Sequence, residues 1–204
     1  MSFSSLVGRT LRRAGLIRPR SSTPLELQTR LGQDESGATA IEFAMVALPF
    51  FLLVFALLEI SLRFFAGQVL ETAVADAARM IRTGQAQAQG FDLVTFRGEI
   101  CNGVSSLMTC DPDGNGDGGF RIDVRTYADF SSVDLSNPIA GAPGAEVLDE
   151  SSFAFNIGSG GEIVLVRVFY EWPSFVSFNG SRFGNLGNGN HLLAATAAFR
   201  NEPF

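Results

Sequence analysis

The sequence predicts an α+β protein in which a long N-terminal membrane-spanning helix continues into an amphipathic helix packed on a small antiparallel β-sheet domain. Three observations support this fold class. Residues 43–58 carry no charge, apolar residues recur at spacings of three and four after residue 62, and apolar and polar residues alternate after residue 120. We therefore expect a basic leader (1–37), a transmembrane helix (38–63), an amphipathic helical extension (64–90) and an α+β domain (91–204).

The apolar segment has the length needed to cross a bilayer. A helix over Ile41–Leu62 would be about 33 Å long, close to the roughly 30 Å of the hydrocarbon core. Pro49 lies inside it and predicts a local kink, which membrane helices tolerate. Glu59 and Arg63 fall where the helix would meet water, at the spacing that favours an ion pair.

The charge distribution predicts the orientation of this helix. Residues 1–33 carry six arginines against Glu26 alone, although the whole chain has a net charge of −6. Arginine-rich flanks of membrane helices stay in the cytoplasm. In a bacterium the leader would then be cytoplasmic, the helix would cross the inner membrane, and residues 64–204 would be periplasmic. The arginines could instead bind nucleic acid, but the adjacent membrane helix favours a topology signal, so we expect no nucleic-acid partner.

Beyond the membrane the helical period continues as far as Gly84, which supplies a stop signal. One apolar face of this extension is expected to pack on the exported domain. It consists of Leu62, Phe65, Val69, Ala73, Ala77 and Met80. A second short helix is predicted from Phe91 to Asn102, with Asp92 near its cap.

Alternation with a period of two predicts the strands. Phe120, Ile122 and Val124 alternate with charged residues, as expected for a half-buried strand. Ile163–Trp172 shows the strongest pattern, with Arg167 and Glu171 on the face opposite its valines. A further strand is predicted over His191–Arg200 and a short edge strand over Phe153–Ile157, with Gly- and Asn-rich loops between them.

The two cysteines, Cys101 and Cys110, lie on the side predicted to be exported. An oxidising compartment favours a disulfide over a metal pair. Nine helical residues span about 13 Å, whereas bridged Cα atoms lie within about 7 Å. The chain is therefore expected to turn between the two cysteines.

A run of acidic and amide residues imitates a calcium loop. Asp111, Asp113, Asn115 and Asp117 occupy positions 1, 3, 5 and 7 of an EF-hand-like pattern. The twelfth position is Ile122, where a bidentate glutamate is required. The run is thus a weak calcium candidate, and a solvated turn is the favoured interpretation.

Catalytic and cofactor motifs are missing from the sequence. His191 is the sole histidine, and no G-x-S-x-G elbow, zinc ligand set or phosphate-binding glycine loop accompanies it. We therefore expect no cofactor and no enzymatic activity.

The start of the apolar segment has a distinctive pattern. Gly37 opens G-x-x-x-x-E-F, with Glu42 and Phe43 just inside the segment. A charged group at the bilayer centre is unfavourable by roughly 2.5–3.5 kcal/mol, so a carboxylate here needs a reason. Together with the arginine-rich leader, this pattern resembles the TadE-like family, minor subunits of the Flp (tight-adherence, type IVb) pilus system. The resemblance extends to the strand Ile163–Trp172 and to the terminal residues 199–203.

The resemblance implies processing and a set of partners. A prepilin peptidase would cut after Gly37 and leave Ala38 as the new N-terminus. Glu42 would then pair with the freed amine of a neighbouring subunit; otherwise it is simply a carboxylate favoured near a helix N-terminus. The partners implied are the peptidase, other pilin or pseudopilin subunits, the Flp/Tad machinery and the lipid bilayer. The alternatives are an uncleaved single-pass protein whose periplasmic domain binds a ligand or envelope component, and a membrane-tethered enzyme.

Overall fold

The computed structural model describes residues 37–111, 119–175, 177–178, 181–182 and 184–204, with the backbone alone at 177–178 and 181–182. The chain divides into two units between Pro49 and Phe50. Helix α1 (Ala38–Arg82) begins in the first unit, and every other described helix or strand lies in the second. The second unit holds a small antiparallel sheet, so the predicted α+β class with one long apolar helix is confirmed.

Two further helices follow α1 within the second unit. They are α2 (Gln85–Gln89) and α3 (Leu93–Val104). The carboxylate of Asp92 caps α3 by accepting a hydrogen bond from the Thr95 N–H at 2.8 Å. Hydrogen bonding by Thr95 also holds the pKa of Asp92 below its usual value. The predicted second helix and its cap are thereby confirmed.

The main sheet has three antiparallel strands in the order β1–β4–β7. They are β1 (Arg121–Tyr127), β4 (Ile163–Trp172) and β7 (His191–Arg200). Trp172 lies opposite His191 at one end of the β4–β7 ladder, and Ile163 lies opposite Arg200 at the other. The predicted strands over 163–172 and 191–200 are confirmed.

Smaller pairings complete the described strands. The predicted edge segment around Phe155 contributes one parallel bridge to Val124 rather than a full strand. Two short hairpins were not predicted from the sequence. They pair β2 (Ile139–Ala140) with β3 (Val147–Leu148), and β5 (Ser177–Phe178) with β6 (Ser181–Arg182).

The main core lies between one face of the sheet and the outer half of α1 together with α3. The buried residues of α1 are Ala66, Leu70, Ala73, Val74, Ala77, Ala78 and Ile81. Two members of the predicted apolar face are not buried, since Leu62 is 47% and Phe65 is 61% exposed. That part of the prediction is wrong, because the first buried residue of α1 is Ala66.

The opposite face of the sheet carries a buried ion pair. Asp123 is 1% and Arg167 is 5% exposed. The Arg167 guanidinium donates to Asp123 Oδ2 at 2.7 Å and to the Ser136 carbonyl at 2.9 Å. Arg125 and the Ala154 N–H donate to Asp123 Oδ1. The sequence predicted a half-buried strand here, but segments from 136 to 154 also cover this face, so its charged residues must pair with each other.

The C-terminal residues hold the end of α1 against the sheet. The Glu202 N–H donates to the last helical carbonyl, that of Arg82, at 2.9 Å. Gly84 has a φ of 79°, and a Cβ there would lie 2.6 Å from the Phe204 ring. The buried Asn201 side chain donates to the carbonyls of Ile157 and Ser159. The predicted stop at Gly84 is thus confirmed, since α1 ends at Arg82.

Candidate membrane anchor and processing site

The first part of α1 is apolar and mostly exposed. Between residues 41 and 65 most of its large apolar side chains expose from 42% (Ile60) to 75% (Met45) of their surface, whereas Leu52 and Val54 are half-buried. The described residues contain one helix that is both long enough and apolar enough to cross a membrane, and this helix is α1. An exposed apolar surface of this extent marks an interface with another apolar phase, and its length makes this part of α1 a candidate membrane span.

The candidate processing site lies at the first residues of α1. Gly37 directly precedes the helix, which begins at Ala38. A Cβ added at Gly37 would meet no atom within 4 Å, and its φ lies outside the left-handed range that favours glycine. Packing among the described residues therefore does not require glycine at this position. The leader that precedes it, residues 1–36, lies outside the described residues.

Glu42 and Phe43 lie in the first turns of α1 and face away from the described chain. Phe43 is 70% exposed, and Glu42 is also exposed. Glu42 forms no hydrogen bond or ion pair with any residue that the structure describes. Glu42 therefore gains no stabilising polar contact from the described part of the chain, although an acidic side chain in so apolar a segment needs one.

The boundary between the anchor and the domain carries charge. Glu59 and Arg63 line a cavity of about 230 Å³ on one face of α1, together with Ala56 and Ile60. His191, the first residue of β7, lies close enough to Arg63 to feel its charge. Burial first, and then repulsion from Arg63, lower the pKa of His191 below its usual value. The structure thus brings together two residues, Arg63 and His191, that the sequence treated separately.

The two cysteines form a disulfide between the C-terminal turn of α3 and the segment that follows. Their Cα atoms are 5.7 Å apart. Next to Cys110, the backbone N–H of Thr109 donates to the Tyr170 hydroxyl at 3.2 Å, which ties this segment to β4. Of the calcium candidate, Asp111 is described, whereas Asp113, Asn115 and Asp117 lie outside the described residues. The described part of the chain contains no cluster of three or more His, Cys, Asp or Glu side chains placed to hold a metal ion.

A groove on the outer half of α1 was missed by the sequence reasoning. It has a volume of about 470 Å³ and is open to solvent. It is lined by Phe65, Gln68, Val69, Thr72, Ala73, Asp76 and Gly103. Gly103 of α3 approaches so closely that a Cβ there would lie 2.8 Å from the Ala73 Cβ. The spacing within α1 gave no signal for the groove, because its second wall comes from a residue thirty positions away.

Comparison with known proteins adds one finding. Residues 37–79 match the family model described as TadE-like protein. No curated protein and no solved structure matches the chain. The matched segment begins at Gly37 and covers the exposed apolar helix and most of the outer half of α1. The chain therefore carries a segment similar to TadE-like proteins, over the residues that begin the predicted resemblance.

Proposed function

We propose that this chain is a minor pilin or pseudopilin of an Flp-type (type IVb) pilus, cut after Gly37 by a prepilin peptidase and anchored in the inner membrane by α1. The TadE-like segment supports a role in Tad/Flp pilus-associated assembly. Its partners are then pilin subunits and the Tad/Flp machinery, and its work is assembly rather than catalysis. The proposal further specifies the processing enzyme, the position of the cut and the orientation of α1 in the membrane.

The observation that carries the proposal is the glycine that packing does not explain. Gly37 stands at the first residue of the matched segment, yet its surroundings have room for a side chain. A protease that grips the chain in an extended form gains from a residue without a Cβ, because the backbone can approach closely. Recognition by another protein therefore explains this glycine better than folding does.

Glu42 supports the same proposal. Hydrolysis of the Gly37–Ala38 peptide bond adds water and leaves a protonated amine on Ala38. In an apolar environment the attraction between that amine and the Glu42 carboxylate of a neighbouring subunit is much stronger than in water. The pair would stabilise packing between subunits and give the carboxylate, which has no partner among the described residues, its contact.

The disulfide supports the exported placement of the domain. Disulfides persist in oxidising compartments such as the bacterial periplasm and are rare in the cytosol. The Cys101–Cys110 bond lies on the domain side of the anchor. This placement agrees with the arginine-rich leader remaining in the cytoplasm.

The test is the intact mass of the chain extracted from membranes of cells that carry the pilus genes. We expect the wild-type mass to lack residues 1–37 and a Gly37→Leu variant to retain them, because a branched side chain blocks the close approach of the peptidase. Gly67→Ala is the matched control. It changes another glycine of the same segment at which a Cβ meets no atom within 4 Å, and it should be cut normally.

Two results would contradict the proposal. A wild-type chain that still carries its leader in cells with assembled pili supports the uncleaved single-pass alternative. A mature-sized Gly37→Leu product shows that the cut, if any, lies elsewhere.

A further inference from the structure

The main sheet has one covered edge and one open edge. On the β1 side, the Val124 N–H donates to the Ala154 carbonyl at 2.7 Å, and the Asn156 N–H donates to the Val124 carbonyl at 2.8 Å. The segment around Phe155 thus covers the middle of that edge. On the other side β7 is the last strand, and beyond Leu192 no described residue pairs with its outer edge.

Every second residue of β7 points its backbone groups to this open edge. In an antiparallel ladder, residues alternately face the partner strand and turn away from it. The Asn201 N–H donates to the Glu162 carbonyl in the pair that continues the β4–β7 register, so the odd-numbered residues of β7 face β4. The even-numbered residues turn outward, and Asn185 Oδ1 accepts from the first of them, the Leu192 N–H, at 2.8 Å. Outward N–H and C=O groups without a partner among the described residues belong to Ala194, Thr196 and Ala198.

The side chains of β7 leave this edge accessible. The three outward residues are small and exposed, and the ten-residue strand contains no Pro, Lys, Asp or Glu. Native proteins usually protect an edge strand with charges, proline, a bulge or a covering segment, as residues 154–156 do for β1. On the face toward the core, Ala197 and Phe199 are only partly buried, so the apolar layer extends to the edge. An edge with these properties fits an added β-strand.

We propose that β7 accepts an extended strand from another protein of the pilus assembly, which pairs with residues 194–200 and enlarges the sheet. Seven extended residues cover about 23 Å. The edge sets the chemistry of the ligand. Its backbone exchanges hydrogen bonds with the outward residues, and its side chains alternate between apolar ones beside Ala197 and Phe199 and polar ones in water. This inference rests on the proposed function for the source of the strand and for the anchoring of α1, but not on cleavage after Gly37.

A second copy of this chain does not fit the open edge. Within the second unit, α1 and β7 run in the same direction, because Arg63 lies near His191 and the Arg82 carbonyl accepts from the Glu202 N–H. Two β7 strands paired about a two-fold axis would be antiparallel, so their α1 helices could not enter one membrane from the same side. A head-to-tail copy would have to offer its β1 edge, whose middle is covered by residues 154–156. The strand is therefore assigned to a different subunit.

The test compares hydrogen exchange of the full chain in two membrane extracts. One extract comes from cells that carry the pilus genes, and the other from cells that make this chain alone. Mass spectrometry follows overlapping peptides that cover residues 191–200. We expect the amides of Ala194, Thr196 and Ala198 to exchange at least about tenfold more slowly in the extract with the pilus genes, because new backbone hydrogen bonds protect them. The odd-numbered amides, which are bonded to β4, should be protected in both extracts.

One position separates strand pairing from folding. Thr196→Pro removes an N–H that points outward, and no bond to β4 is lost, so the edge strand tolerates the proline. This variant should lose the added protection at Ala194 and Ala198. Thr196→Val is the matched control, because it keeps the N–H and the β-branched shape, and it should behave like the wild type. Urea unfolding shows that both variants are folded, and the wild-type comparison depends on neither of them.

A photo-reactive label identifies the source of the strand. The two native cysteines form a disulfide, so Thr196→Cys introduces a single free thiol, which carries a benzophenone maleimide. We expect illumination of the extract with the pilus genes to join this chain to the product of another pilus gene. The same labelled variant from cells that make this chain alone is the control and should give no cross-linked product. The cross-link supports the proposal only together with the protection that Thr196→Pro removes.

The results that overturn the proposal are distinct. Unchanged exchange of the three amides, or protection that survives Thr196→Pro, overturns strand pairing at β7. A cross-linked product of twice the mass of the chain shows a second copy and overturns the assignment to a different subunit. The intact mass of the chain is measured in the same extracts. A chain that keeps its leader but shows the protected amides contradicts the processing in the proposed function and supports strand pairing.

Discussion

The two halves of α1 are both apolar, yet they lie in opposite surroundings. Up to Phe65 the helix exposes most of its large side chains, with Leu53 at 57% and Phe55 at 57%, and no residue is fully buried. From Ala66 onward one face is buried, with Leu70 at 0%. The first half is rich in Phe and Leu, and the buried face of the second is rich in Ala.

The difference shows how the side-chain composition of each half of α1 suits its surroundings. A lipid phase accommodates large side chains at any angle, because acyl chains adapt their shape. A packed protein interior is rigid, so small residues are required where another backbone approaches α1 closely, as α3 does at Ala73 and Gly103. Hydrophobicity alone does not distinguish the two halves of α1, because both are apolar. The volume of the side chains does distinguish them, since the half that packs on the domain has small residues on its buried face.

The largest expected effect comes from truncating the same residue type in each half. Leu70→Ala removes a fully buried side chain and should lower the free energy of unfolding of the domain by about 2–5 kcal/mol. Leu53→Ala, in the exposed half, should leave it nearly unchanged. Urea unfolding in detergent, followed by Trp172 fluorescence, measures both. Equal losses in the two variants would show that the exposed half also packs on the domain.

A smaller effect is expected where α3 meets the outer half of α1. Gly103→Ala places a Cβ 2.8 Å from the Ala73 Cβ, so the helices must separate. We expect a loss of about 1–3 kcal/mol in the free energy of unfolding. Gly98→Ala is the control on the same helix, because a Cβ there meets nothing within 4 Å. It should gain about 1 kcal/mol from helix propensity. A stabilised Gly103→Ala variant would mean that the contact can relax without loss.

Much of this architecture could be predicted from local patterns. The strands over 163–172 and 191–200 repeat with a period of two over ten residues, and α1 carries an uninterrupted apolar run followed by a helical period. Gly37 and Glu42 are recognisable from their spacing alone. In each of these cases the signal lies within a few residues of the feature that it predicts.

The features that the sequence patterns did not predict depend on contacts between residues that are far apart in the chain. Asp123 and Arg167 are 44 positions apart, and nothing near either residue showed that both would be buried. The exposure of Leu62 and Phe65 depends on where the domain ends, which the period of the helix does not encode. The placement of Trp172 opposite His191 follows only from the register of β4 and β7.

The smallest expected effect concerns the boundary between the two halves, where His191 lies near Arg63. Burial and the Arg63 charge lower the pKa of His191 in the folded chain, so the unfolded chain binds the proton first, near pH 6.5. The midpoint of thermal unfolding in lipid-free detergent should therefore fall as the pH is lowered from 7.5 through 6.5, and this contribution should level off below the folded pKa. His191→Gln should remove this part of the pH dependence, and Arg63→Gln should reduce it. Carboxylates such as Asp92 and Asp129, whose pKa values are also lowered by hydrogen bonds, act only in a more acidic range and do not interfere. A midpoint that rises on acidification would place His191 beside an anionic group instead, and the boundary would then be held by attraction rather than by exclusion of charge.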